Sequence, residues 1–406
     1  MERYSLLQSA KLILNGQLLG RYDCWICNGY GYSGEISNIK KMAQLFGPMG
    51  IFVSNDEVFI CDTDNNRVRK LLRNGQIVTI CGTGVRGYNG DGILATEAAL
   101  CNPRSVVVSS SNQVYIAERY NRIRKIDQFG VIHTIAGTGD MGYNGDDQLA
   151  ITAQLNYPCG LFVTEDEEIL IADTDNDLIR KIDRNGMIST VAGYVGKQKT
   201  TNDEQLATST SLNGPSSVFQ YKNEIYIADS YNHRIRKIDR HGKISTIAGT
   251  GVGEFSNDGV LATETDLYHP NSVFVHNDQV YFSEAGAFVK KILPNGIVKT
   301  IAGKEFNEEE LIGVEKLATK TNLNDACGLF VDSNSRVYIS DYGDHWIGMI
   351  DENGMMKVLI GASGDNGYSG DVSFDFKQYP HIGPRKKQLI KPFPNAYLDL
   401  IVNCLD

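Results

Sequence analysis

The chain has 406 residues and a formal net charge of −10 at a sequence pI near 5.3, a balance that disfavours a broad phosphate-binding surface and with it DNA binding. No apolar run approaches the ~20 residues of a membrane span, and the opening MERYSLLQSAKLILNGQLLG lacks an apolar core of signal-peptide length, so a soluble cytoplasmic chain with no membrane contact is expected. Its 41 glycines point to many turns.

Residues 1–45 read as a closing strand and a first linker. Asp23-Cys-Trp-Ile-Cys-Asn-Gly-Tyr-Gly-Tyr-Ser-Gly34 has the order of a last strand followed by a glycine-rich connection. The pair Cys24 and Cys27 sits in that strand with its members on opposite faces and has no second pair, which argues against zinc.

From 46 to 371 one unit recurs. An acidic residue ends a short apolar run at Asp62, Glu118, Asp173, Asp229, Glu284 and Asp341, with spacings of 56, 55, 56, 55 and 57 residues. Such a period means a supersecondary unit too small to bury its own apolar face, packed on its neighbours. In the second copy four strand-like runs begin at Ser105, Val114, Arg122 and Val131, separated by turns at Ser110-Ser-Asn, Arg119-Tyr-Asn and Asp127-Gln-Phe-Gly. Connections this short force antiparallel neighbours. Four strands repeated six times predict an all-β, six-bladed β-propeller of four-stranded antiparallel blades, with seven blades, the last built from both termini, as the alternative.

The third strand alternates, as in Arg67-Val-Arg-Lys-Leu and Arg122-Ile-Arg-Lys-Ile, which predicts an aliphatic face and a solvated basic face balanced by neighbouring carboxylates. The second strand is apolar throughout and is expected near the centre, covered on both faces. Between copies runs a glycine-rich linker such as Gly82 to Gly92, then a Leu-Ala-Thr segment suited to one or two helical turns; these connections are expected to decorate one face of the disc. Cys61 and Cys81 replace alanine or serine of other copies and read as small core residues, with reduced thiols.

Three columns are weighed for function. The six acids read as structural: a carboxylate followed by Thr or Ser and then Asn suits a turn in which it accepts backbone N–H groups, and catalysis needs an asymmetric set. The Tyr-Asn-Gly-Asp linkers at Tyr88 and Tyr143 offer oxygens for calcium but lack the ligand run and bidentate Glu of an EF-hand loop, so no cofactor is expected and calcium stays an alternative. The basic column Arg69, Arg124, Arg180, Arg236 and Lys290 is the candidate for an RNA backbone, a reading the acidic balance disfavours. At the starts of the innermost strands Arg104, Ser216 and Asn271 are the candidate channel-mouth contacts, and no catalytic or metal set is recognised there.

The pattern Ile-Ala-Asp-Thr/Ser-x-Asn-x-x-Ile-Arg-Lys-Ile-Asp, at Ile171 to Asp183 and Ile227 to Asp239, resembles the NHL repeat. The linker from Thr134 to Asp146 is similar to the long-linker variety of teneurins and of uncharacterised NHL proteins, and the resemblance runs from about Tyr22 to Asp371. It implies a propeller that binds proteins or RNA, while related six-bladed propellers include lyases and lactonases. The fifth copy lacks the Asn found at Asn66, Asn121, Asn176 and Asn232, and the sixth lacks the basic pair.

Residues 372–406 form a tail of different composition, and the stretch from Asn395 to Asp406 is similar to the opening strand of a BTB/POZ domain, a dimerisation and ubiquitin-ligase adaptor module. The expected function is a non-enzymatic scaffold binding a protein partner through one face of the disc, with an adaptor role in ubiquitination implied by the tail. A propeller hydrolase or lyase with a metal in the channel, and an RNA-binding NHL domain, are the alternatives.

Overall fold

The computed structural model describes residues 43–195, 202–286, 288–304 and 316–361. Expectations for Cys24 and Cys27, for the closing strand at Asp23 to Gly34 and for the BTB-like tail lie outside these residues. The described ones belong to one compact unit, Met42–Lys386.

Each repeat folds as an antiparallel meander, giving six sheets. Blade I is Pro48–Ser54, Glu57–Asp62, Arg67–Leu71 and Ile77–Cys81, and blade II is Pro103–Val108, Val114–Glu118, Arg122–Ile126 and Val131–Ala136. Blades III, IV, V and VI begin with innermost strands Pro158–Val163, Pro215–Tyr221, Pro270–His276 and Ala326–Val331. All four strands of blade VI come from Ala326–Gly361, and its sheet seals against blade I. There the rings of Phe52 and Phe330 lie 4.9 Å apart, Arg336 donates to Asp56 at 2.9 Å, and the Ser340 hydroxyl donates to the Met49 carbonyl. The ring is complete with six blades, which sets aside the seven-blade alternative.

We call upper the face where innermost strands begin and second strands end. The linkers depart from this face, but they are not confined to it. Ile93–Leu94 forms a fifth strand on the outer edge of blade II, the short 3-10 turn Ala95–Glu97 follows, and Ala95, Ala98 and Leu100 are buried in the seam between blades I and II. The linkers are thus wedges between blades, which corrects the expectation of a decorated face. Burying such alanines and leucines between sheets is what holds neighbouring blades together.

The third strand departs most from its expected environment. Arg69, Arg124, Arg180 and Arg236 are wholly buried and Lys290 nearly so; the solvated basic face does not exist. Both faces of this strand meet another blade or a linker, so the middle basic residue of each copy faces protein, while its neighbours, such as Arg67 and Lys70, stay only partly exposed.

Candidate functional site

The turn between second and third strands organises the upper face. Asp62, Glu118, Asp173, Asp229, Glu284 and Asp341 are all buried there. Each accepts a backbone N–H from two residues before its own blade's innermost strand, as Phe46 donates to Asp62 at 2.8 Å and Asn213 to Asp229 at 2.8 Å. In blades I to V a buried cation stands beside the acid: Arg236 lies 3.3 Å from Asp229 and Lys290 lies 2.8 Å from Glu284. The arginine also reaches the incoming linker, with Arg124 at 2.9 Å from Asp91 and Arg180 at 2.8 Å from Asp146. The Tyr-Asn-Gly-Asp carboxylates weighed for calcium therefore face guanidinium groups and the hydroxyls of Thr134 and Thr190. Burial pushes the carboxyls of Asp62, Asp173 and Asp229 up to about 6 and Glu118 to about 7, against the pull of the amides, asparagines and arginines around them.

The choice of Asp or Glu follows turn length. Asp62 pairs across the ladder with Arg67 and Asp229 with Arg234, whereas Glu118 pairs with Arg122 and Glu284 with Phe288, turns that are one residue shorter. In the longer turns Asn65, Asn176 and Asn232 bond the aspartate at 2.8 to 3.0 Å; in the shorter ones that asparagine is absent and the longer glutamate stands in. Asn66 is not part of this column, as the repeat alignment had it. It holds the next position, left-handed at φ 50°, with Asn121, Asp177, His233 and His345.

That left-handed residue clasps the next blade. Asn66 Oδ1 accepts the Asn102 N–H at 3.0 Å, Asn121 that of Tyr157 at 2.9 Å, and Asp177 that of Gly214 at 2.8 Å. His233 Nδ1 accepts from His269 at 3.3 Å and His345 Nδ1 from Gly47 at 3.1 Å. Blade V, which lacks the side chain, uses the Gly286 carbonyl to receive the Asp325 N–H at 3.4 Å.

Inside this frame the innermost strands line a central cavity of about 160 Å³. Met49, Arg104, Cys159, Ser216, Asn271 and Cys327 form its upper mouth. Below, Phe52, Phe162, Phe219, Phe274 and Phe330 constrict it, with successive ring centroids 4.3 to 4.9 Å apart. The three mouth residues singled out from sequence have different environments. Ser216 donates to the Asn271 carbonyl at 2.8 Å, and Asn271 donates to Asp325 at 3.1 Å. Arg104 instead donates to the Tyr157 hydroxyl, its guanidinium 4.5 Å from that ring's centroid. Among the described residues no three His, Cys, Asp or Glu side chains come together as a metal-binding group. Sequence reasoning missed Tyr157, which Arg104 and Arg119 both approach, and Arg86 against Tyr120; the tyrosine before Pro158 was the available signal.

The ring of blades and its buried acid–cation lattice define a six-bladed β-propeller. A family model described as the teneurin NHL domain matches residues 81–253. Teneurin-4 of Mus musculus is 27% identical over 284 residues, 58% of this chain and 10% of that protein. NHL repeat-containing protein 2 of Gallus gallus is 25% identical over 317 residues, 69% of this chain and 42% of that protein. A solved structural-genomics protein of unknown function from Bacteroides thetaiotaomicron aligns with a TM-score of 0.55 at 17% identity, covering 78% of this chain and 70% of that one. The blades are similar to NHL repeats over much of the chain. It spans about a tenth of the length of Teneurin-4, and among the described residues no helix is long and apolar enough to cross a membrane.

Proposed function

We propose that this propeller is a non-enzymatic scaffold that binds a protein partner through its upper face. The supporting observation is the placement of exposed aromatic residues: Tyr120, Tyr231, Phe255 and Tyr268 are 42%, 58%, 43% and 38% exposed on loops of that face. Tyrosine with nearby arginine is the composition that contributes most at protein interfaces. A photo-crosslinking residue at Tyr231 should capture a discrete protein from the native cell, and one at Phe129, on a turn of the opposite face, should not. Capture from Phe129 alone would overturn the choice of face, and capture from neither would overturn the scaffold reading. The ubiquitination role rests on the resemblance of Asn395 to Asp406 alone, and co-purification of a ubiquitin-ligase subunit with the full chain, lost on deleting that stretch, tests it. Stoichiometric metal bound at the channel mouth after purification would favour the hydrolase or lyase alternative instead.

A further inference from the structure

The upper face is not electrostatically uniform. At the junction of blades I, II and III, three arginines from separate segments meet two tyrosines. Arg104 begins the innermost strand of blade II, Arg119 lies in the turn after that blade's second strand, and Arg86 lies in the incoming linker. The guanidinium groups of Arg104 and Arg119 flank one ring, 4.5 and 4.9 Å from the Tyr157 centroid, and that of Arg86 sits 4.6 Å from Tyr120. The buried cations of the third strands in blades I to V have a carboxylate beside them, as Arg124 has Asp91 and Glu118. None of these three has a carboxylate within ion-pair distance among the described residues. The Arg104 Nε is buried without a hydrogen-bond partner, as are those of Arg124 and Arg180. Two acids feel these arginines without pairing with them: Asp175, raised by partial burial and by Asp177 while Arg104 and Arg119 pull it down, and Asp325, raised by burial while Asn271 and Arg104 pull it down.

We infer that this junction is an anion-recognition site for an acidic peptide segment of a protein partner, its carboxylates received by the exposed guanidinium groups of Arg119 and Arg86 while the exposed Tyr120 covers the adjoining side chain. The inference rests on the scaffold reading and narrows it. Guanidinium groups held flat on aromatic rings are already oriented, so forming two charge-assisted hydrogen bonds to a carboxylate orders little further. A peptide is favoured over RNA because the repeated arginines Arg69, Arg124, Arg180 and Arg236, which could have tracked a phosphate backbone from blade to blade, are wholly buried.

The test uses the whole chain and three fluorescent probes: a hexaglutamate peptide, a hexalysine peptide and a six-residue oligouridylate, titrated by anisotropy at low salt. Hexaglutamate should bind and hexalysine should not. The Arg86→Ala/Arg119→Ala double variant should weaken hexaglutamate roughly tenfold or more, as expected for losing charge-assisted contacts, and Arg119→Lys should restore only part of it. Both side chains are exposed, so an unchanged thermal midpoint separates lost binding from lost folding. Equal hexaglutamate binding by wild type and variant overturns the inference, as does tighter binding of oligouridylate, which would place RNA here instead. Partner crosslinking from Tyr231 that survives the double variant would sink this inference while leaving the scaffold reading intact.

Discussion

His345 Nδ1 accepts the Gly47 N–H at 3.1 Å across the seam where blade VI meets blade I. One residue earlier the Phe46 N–H goes to Asp62 within blade I, so adjacent amides tie one blade to itself and to its neighbour. The accepting nitrogen must be unprotonated. Burial, outweighing the Tyr342 backbone and Asp344, holds His345 below the usual histidine value. The unfolded chain therefore takes the proton first, so stability from this group is complete above about pH 6.5 and is lost as pH falls below it. His345→Asn places here the residue that blades I and II use; relative to wild type it should gain about 1 kcal/mol between about pH 7.5 and pH 5, read as denaturation midpoints. Parallel pH profiles would refute a clasp role for the imidazole.

Blade VI keeps its acid without the cation. Gly348 holds the ladder position of Arg69, opposite Ile339, and the Trp346 ring fills the space a side chain there would need. Burial first and Asp344 next push Asp341 up to about 7. With the folded value raised, its contribution is full below the usual aspartate value near 4 and is lost as pH rises through about 7. The cost of Asp341→Asn should accordingly shrink between about pH 5 and pH 8. Asp229→Asn strips a buried charge from Arg236 and should cost about 3 kcal/mol or more. Urea titrations of the two variants compare them; an equal cost at pH 7 would contradict the distinction.

Glu118 serves a turn one residue shorter than the turns served by aspartate. Glu118→Asp should cost about 1–3 kcal/mol by withdrawing the carboxylate from the Cys101 amide and Arg124. Inserting one residue between Tyr120 and Asn121 should recover most of that loss in the Asp variant and harm the wild type. If the insertion harms both alike, turn length is not what selects the acid.

Gly160 lies where an added Cβ would come 2.8 Å from the Ser216 carbonyl of the next innermost strand. Gly160→Ala should force the two strands apart at the channel and lower stability by about 1–3 kcal/mol. Gly186→Ala meets no neighbouring atom, so its cost should come from its φ of 78° alone. Thermal midpoints of both variants, measured together, separate crowding from backbone strain.

Arg124→Glu would have been the natural probe of RNA binding had the third strand carried a solvated basic face. Because Arg124 is buried between Glu118 and Asp91, that substitution would bury three carboxylates together and should unfold blade II before any ligand is considered. Circular dichroism and expression yield would show this directly.

The period of the acidic column, the four runs per copy and the short turns were enough to specify the four-stranded unit, its antiparallel order and the turn that holds each acid, whereas the choice of six blades over seven was decided by the seam of blade VI on blade I. The former are local or repetitive properties, and a repeat reports its own packing because each copy meets the same neighbours. Alternation along Arg122-Ile-Arg-Lys-Ile could not say what lies against its polar side; only the closed ring, which sets another blade or a linker there, decided that Arg124 is buried. The same holds for the histidine clasps and for Arg86, Arg104 and Arg119 around Tyr120 and Tyr157. Those groups come from separate segments of the chain, and only the rotation between neighbouring blades brings them together.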